Sequence, residues 1–142
     1  MKLICIPAYN EEEHIGKIIN DCKKFADKVI VCDDGSSDYT VEFAKKEGAI
    51  VLQHEKNQGY GAAIATLFDY CRKENADAMV TLDGDGQHDP NQIPLLLDAL
   101  HNHNVDVVIG SRCILLAVKT HRSSPSLYPQ LNPGCSAFDY HN

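Results

Sequence analysis

The feature that most constrains this chain is a repeated alternation of short apolar runs with helical faces. Leu3-Ile4-Cys5-Ile6 reads as a buried strand, and Ile15, Ile18, Ile19 and Cys22 then recur at i, i+3, i+4 and i+7, one face of a helix. Val29-Ile30-Val31-Cys32 is a second strand, Val41 to Lys46 a second helix stopping at Gly48, and Ala49 to Leu52 a third strand. Ile64, Leu67, Phe68 and Cys71 mark a third helix, and Ala78 to Leu82 a fourth strand. Ile93, Leu96, Leu97 and Leu100 mark a fourth helix, and Val105 to Ile109 a fifth strand. Strands that are apolar without alternation bury both faces of a parallel sheet. The expected fold class is therefore α/β, a mostly parallel sheet with helices on both faces. Ligands of such sheets lie outside the carboxyl ends of the strands, so the loops after strands one, two, four and five are expected to face one crevice.

Local signals refine the boundaries. Asn10 with Glu13 three residues later predicts a capping box for the first helix. Asp89-Pro90 with Gln92 predicts an N-cap, N1 and N3 for the fourth. Past residue 112 the regular pattern stops. Cys113 to Val118 is a short apolar segment, and Ser123, Ser124, Pro125, Pro129, Pro133 and Gly134 are loop material. The expected organisation is one domain over 1–112, with 113–142 a short apolar segment and a loop-rich, poorly ordered tail.

The chain carries 13 basic and 20 acidic residues, a net charge of −7. That argues against nucleic acid, whose binding rests on Lys and Arg clusters. It leaves room for a small anionic ligand joined to an acidic site by a divalent cation. Of the six cysteines, Cys5 and Cys32 lie within apolar runs and Cys22 and Cys71 on apolar helix faces, and no CxxC or Cys/His zinc spacing occurs, so neither a disulfide framework nor a zinc site is expected. No secretory signal pattern opens the chain and no apolar run approaches the roughly 20 residues of a membrane span. A reducing, cytoplasmic setting is the expectation.

The strand ends carry the chemistry. Asp83-Gly84-Asp85-Gly86-Gln87-His88 follows the fourth strand. Alternate carboxylates with an amide oxygen are hard ligands suited to Mg²⁺ or Mn²⁺, leaving positions open for phosphate oxygens. The competing reading is a solvated acidic turn, since Asp-Gly is common turn chemistry. A calcium EF-hand loop is excluded, because His88 and Pro94 stand where its glycine and glutamate belong. Asp33-Asp34-Gly35-Ser36-Ser37-Asp38 ends the second strand, where a carboxylate accepts from a ribose or base or else simply caps the next helix. Gln58-Gly59-Tyr60-Gly61 fails as a dinucleotide fingerprint, and no GxxxxGK[ST] occurs, so these glycines read as a tight turn with close helix packing. Arg112 ends the fifth strand, placed to clamp phosphate oxygens or to form a surface ion pair. Of the histidines, His88 alone adjoins a motif; His14 and His54 are read as surface residues.

Five segments together resemble family 2 glycosyltransferases of the GT-A fold: Ile6-Pro7-Ala8-Tyr9-Asn10-Glu11-Glu12, Val31 to Asp38, Asn57 to Ala63, Thr81 to His88, and Ile109 to Arg112. The nearest likeness is to the polyprenyl-phosphate or dolichyl-phosphate mannose and glucose synthases, and it covers residues 1–112. The resemblance implies that Pro7, Tyr9 and Glu11 hold the nucleoside, and that Asp33, with Asp34 beside it, contacts base or ribose. It implies that Asp83 and Asp85 face the nucleotide diphosphate, that Asp85 and Gln87 with Asp83 ligate Mg²⁺ or Mn²⁺, and that Arg112 lies near the phosphates. Asp83, Asp85 and Arg112 would then be the catalytic set. The implied reaction is transfer of a hexose from a GDP- or UDP-sugar to a polyprenyl phosphate, with peripheral contact at the cytoplasmic membrane face or a partner subunit. Residues 113–142 do not resemble the acceptor-binding half of that family. The alternative is therefore a non-catalytic or truncated sugar-nucleotide-binding fragment of such an enzyme.

Overall fold

A computed structural model describes residues 1–102, 105–110 and 116–120. The apolar runs and helical faces become β1 (Lys2–Ala8), α1 (Ile15–Cys22), β2 (Lys28–Asp33), α2 (Thr40–Lys46), β3 (Ile50–Gln53), α3 (Tyr60–Lys73) and β4 (Ala78–Thr81). A 3-10 turn at Pro90–Gln92 leads into α4 (Ile93–Asn102), and β5 (Val107–Ile109) and β6 (Leu116–Lys119) follow. The strands form one sheet in the order β3-β2-β1-β4-β6-β5. β1 is parallel to β2 and β4, and β2 to β3, while β6 runs antiparallel to both β4 and β5. The expected mostly parallel sheet is what forms.

The period of two along each strand divides the core into two layers. Ile4, Ile6, Val29, Val31, Val80 and Ala117 face Ile15, Ile18 and Ile19 of α1, Ala44 of α2, and Ile93, Leu96 and Leu100 of α4. Leu3, Cys5, Ile30, Cys32 and Met79 face Ala63, Leu67 and Cys71 of α3. Each fully buried Ile or Leu contributes roughly 1.5–3 kcal/mol by leaving water. Both faces of β1 and β2 are covered, which is why those strands read as unbroken apolar runs. Cys5, Cys22, Cys32 and Cys71 are free and buried, and burial pushes the Cys22 and Cys32 thiols up to about 12. They are core residues and poor nucleophiles.

Three expectations change. Asn10 does not cap α1, which begins at Ile15 behind His14 with no side-chain cap. Asn10 instead takes a left-handed conformation, φ 56°, and is committed to the loop after β2. The expected strand from Val105 starts at Val107. Most consequentially, the boundary at residue 112 does not end the sheet. Leu116–Lys119, part of the apolar segment assigned to the tail, is inserted between β4 and β5 with Ala117 wholly buried. Four residues beside turn-rich sequence are too few to show a period, so only pairing reveals this strand. Asp89 behaves as expected, its side chain accepting from the Asn91 N–H at 3.0 Å. The expected loop-rich tail from 121 onward lies outside the described residues.

Candidate active site

The register sets the tips of the central strands side by side, Ala8 against Asp33 and Cys5 against Thr81. The loop after β1 is stitched to the loop after β2. The Asn10 N–H donates to Ser36 Oγ at 2.9 Å, and Asn10 Oδ1 accepts from the Ser37 N–H at 2.9 Å. The Glu11 N–H donates to Thr40 Oγ1 at 2.8 Å and the Glu12 N–H to Asp38 Oδ2 at 3.1 Å. The Ser-Ser-Asp run after β2 therefore serves the neighbouring loop as much as its own helix.

Of the two adjacent aspartates, Asp34 reaches the cleft wall and Asp33 lies beneath it. Asp33 is wholly buried, with Oδ2 accepting from the Ser36 N–H at 3.2 Å and Oδ1 without a partner. Asp34 is saturated. Its Oδ1 accepts from the Gln58 N–H at 2.9 Å and lies 2.7 Å from His54 Nδ1, and its Oδ2 accepts from the Gly59 N–H at 2.7 Å. Burial works against its charged form, but the Gln58, His54 and Gly59 donors outweigh burial and hold the carboxyl below its ordinary value. Gly35, at φ +76°, permits this junction, since a Cβ there would sit 2.7 Å from the Lys56 carbonyl carbon.

The opposite wall is acidic. The Asp83 N–H donates to Nδ1 of buried His88 at 2.9 Å, and Asp83 Oδ1 accepts from the Tyr60 hydroxyl at 3.1 Å. Asp85 Oδ1 accepts from the Gln87 N–H at 2.9 Å, which closes the turn. Gly84 packs against the β1 tip, where a Cβ would come within 3.4 Å of the Pro7 carbonyl oxygen. Burial, then Asp85, pushes the Glu11 carboxyl up, with Asp38 and Asp83 adding to it against the opposing effect of His14. Burial and Asp83 likewise push the Tyr60 phenol up.

Between these walls lies an open cleft of about 340 Å³ lined by Pro7, Tyr9, Glu11, Asp34, Tyr60, Asp83 and Asp85, among others. That volume is on the scale of a small-ligand site. The structure thus brings six of the sequence-selected residues together: Pro7, Tyr9, Glu11, Asp34, Asp83 and Asp85. Asp33 is buried outside the lining, Gln87 is exposed and not among the lining residues, and Arg112 lies outside the described residues. Sequence reasoning missed His54 and Tyr60. His54 is a partly buried network residue rather than a surface one, its side chain only 10% exposed. The Gly59 turn is real, φ +93°, but a Cβ at Gly61 would meet nothing within 4 Å, so close helix packing is not its reason. Among the described residues no three His, Cys, Asp or Glu side chains are grouped to enclose a metal ion. The two carboxylates of the β4 loop, with open coordination around them, fit a hard divalent ion that shares its shell with phosphate and water.

The family model described as "Glycosyl transferase family 2" matches residues 3–137. The UDP-N-acetylglucosamine–dolichyl-phosphate N-acetylglucosaminyltransferase of Methanococcus voltae is 33% identical over 127 residues, covering 77% of this chain and 51% of that protein. The polyprenol monophosphomannose synthase of Mycolicibacterium smegmatis is 32% identical over 122 residues, covering 79% of this chain and 45% of that protein. This chain spans about half the length of these relatives. Among solved structures, glucosyl-3-phosphoglycerate synthase from Mycobacterium tuberculosis, in complex with Mn²⁺, uridine diphosphate and glucosyl-3-phosphoglycerate, superposes with a TM-score of 0.71. The sequence identity is 22%, over 84% of this chain and 57% of that one. The shared architecture is the GT-A fold expected from the sequence.

Proposed function

The chain belongs to glycosyl transferase family 2, and from that membership we propose that its cleft binds a GDP- or UDP-hexose with Mg²⁺ or Mn²⁺ for transfer of the hexose to a polyprenyl (dolichyl) phosphate. The observation that carries this reading is the convergence of Pro7, Tyr9, Glu11, Asp34, Asp83 and Asp85 on one cleft at the carboxyl ends of β1, β2 and β4. The named relatives support the lipid-phosphate acceptor, and the Mn²⁺ and uridine diphosphate of the structural neighbour support the donor and the ion.

Each wall has its own task. Pro7 and half-exposed Tyr9 present a flat surface to the base, and Asp34 fixes the wall beside it. Asp83 and Asp85 would hold the divalent ion, with Gln87 or water completing its shell. When bound, that ion neutralises the charge that grows on the departing diphosphate. Burial, then Asp85, pushes the Glu11 carboxyl up, and the acidic wall that Glu11 shares with Asp83 and Asp85 repels an anionic ligand unless a cation is present. The acceptor phosphate oxygen forms the new bond to the anomeric carbon as the bond to the diphosphate oxygen breaks. An ionised phosphate needs no strong general base. The test is titration of GDP-mannose and UDP-glucose with Mn²⁺ and in excess chelator, alongside transfer to a polyprenyl phosphate. Binding that is equal in chelator removes the ion from the site; absence of binding by either sugar nucleotide overturns the reading.

A further inference from the structure

His54 stands just past the end of β3, in the second layer behind the cleft, and its whole polar periphery is engaged. Nδ1 lies 2.7 Å from Asp34 Oδ1 and Nε2 lies 2.9 Å from Thr66 Oγ1 on α3, with Cys32 Sγ 3.7 Å away. The His54 side chain is 10% exposed and that of Asp34 5%. Burying an imidazole and a carboxylate costs several hydrogen bonds to water, so such a pair persists when each polar atom is satisfied inside. A leucine would fill a space next to an apolar sheet more cheaply.

We propose that His54 is a positioning residue for the nucleotide-sugar site: it locks Asp34, and Asp34 in turn holds the loop that carries Tyr60 onto the cleft. The proposal rests on the reading of the cleft given above and adds a residue that does not touch the ligand. The carboxylate fixes the proton on Nδ1, leaving the Nε2 lone pair to accept from the Thr66 hydroxyl. One ring thereby joins the end of β2 to α3. Asp34 can then aim Oδ1 at the Gln58 N–H and Oδ2 at the Gly59 N–H. Both amides precede α3, at a turn where Gly59 takes φ +93°, a conformation that glycine adopts without steric cost. Tyr60 follows directly and carries its hydroxyl across the cleft to Asp83. The chain of contacts thus runs Thr66, His54, Asp34, Gly59, Tyr60, Asp83, from one wall to the other.

Two substitutions separate the ends of the ring. His54→Asn keeps a side-chain amide N–H near the position of Nδ1 and loses reach toward Thr66. His54→Gln keeps polarity near Nε2 and withdraws the donor from Asp34. The readouts are amide hydrogen exchange at Gln58 and Gly59, and affinity for UDP and GDP with Mn²⁺. His54→Gln should speed exchange at those two amides and weaken nucleotide binding by about tenfold each, the scale of one hydrogen bond to a charged group. Exchange at core amides such as Ile30 should be unchanged. His54→Asn should restore most of both losses. Unchanged exchange and affinity in His54→Gln, or losses in His54→Asn as large as in His54→Gln, would overturn the proposal and leave His54 a packing residue. If the unmodified chain binds neither nucleotide, the reading of the cleft fails, while the exchange measurement still decides whether His54 holds the loop.

Discussion

The two walls of the cleft solve opposite electrostatic problems. On the Asp34 wall one buried carboxylate receives three donors, from Gln58, Gly59 and His54, and is content as an anion. On the Asp83 wall the carboxylates of Glu11, Asp83 and Asp85 act on one another, and Glu11 is pushed up by burial and by Asp85. The first wall is complete in itself. The second is improved by a positive charge that the protein does not supply from the described lining. A saturated anion holds geometry, whereas the crowded anions are where the proposed cation would sit.

Removing Asp34 should break the contrast most severely. Asp34→Ala leaves the Gln58 and Gly59 N–H groups and the His54 ring without their acceptor, which should cost about 3 kcal/mol in urea unfolding at neutral pH. Because the folded-state carboxyl is held below its ordinary value, the stability it confers is fully present above the unfolded value near 3.8. It is lost as pH falls through the lowered folded value. The gap between the two proteins should therefore narrow only below about pH 4.

Filling the acidic wall should have the next largest effect. UDP or GDP with Mn²⁺ at a hundred times its dissociation constant should stabilise the chain by about 2.7 kcal/mol. Asp85→Asn should abolish most of that gain while changing the stability of the ligand-free protein little. A gain that survives in excess chelator would make the two walls electrostatically alike toward the ligand.

Glu11→Gln tests the crowding directly. The raised carboxyl means that ionising Glu11 disfavours the folded state, and this penalty grows as pH rises from about 4.5 through the folded value. Glu11→Gln should thus stabilise the ligand-free protein at pH 7, by about 0.5 kcal/mol after screening at a partly exposed position, and by nothing near pH 3. Guanidinium-free thermal melts across that range would show it. The smallest effect belongs to the link between the walls. Tyr60→Phe removes one exposed hydroxyl bond to Asp83 and should alter stability by about 0.3 kcal/mol while changing the ion dependence of nucleotide affinity.

How legible this molecule was depends on whether a feature is local. The first four strands and four helices are written in periods that need no partner to be seen, and the Asp83–Asp85 pair is short, charged and placed at a strand end. β6 was hidden because four residues carry no period and because its neighbours in the sheet, β4 and β5, precede it in the chain. His54 was hidden for a related reason. A histidine after an apolar run is ambiguous until the partners 20 and 12 residues away, Asp34 and Thr66, close around it. Burial likewise separates the two aspartates, which adjacency in sequence does not: Asp34 lines the cleft, whereas Asp33 is wholly buried and outside the lining. Asn10 misled because its polar side chain suits a helix cap and a left-handed turn equally well.

The position of β6 also fixes an order of events during synthesis. A ribosome delivers β5 before β6, yet among the described strands β5 joins the sheet through β6 alone. Until Leu116–Lys119 has emerged, β4 presents an unpaired row of N–H and C=O groups, the kind of edge that recruits strands from other chains. Among the described strands β6 is made after both of its neighbours, so it covers the β4 edge only once it has emerged, and β5 docks onto it then. Helix α4 is complete in the emerging chain before this edge can be covered, which leaves the edge open for the stretch of synthesis between residues 102 and 119.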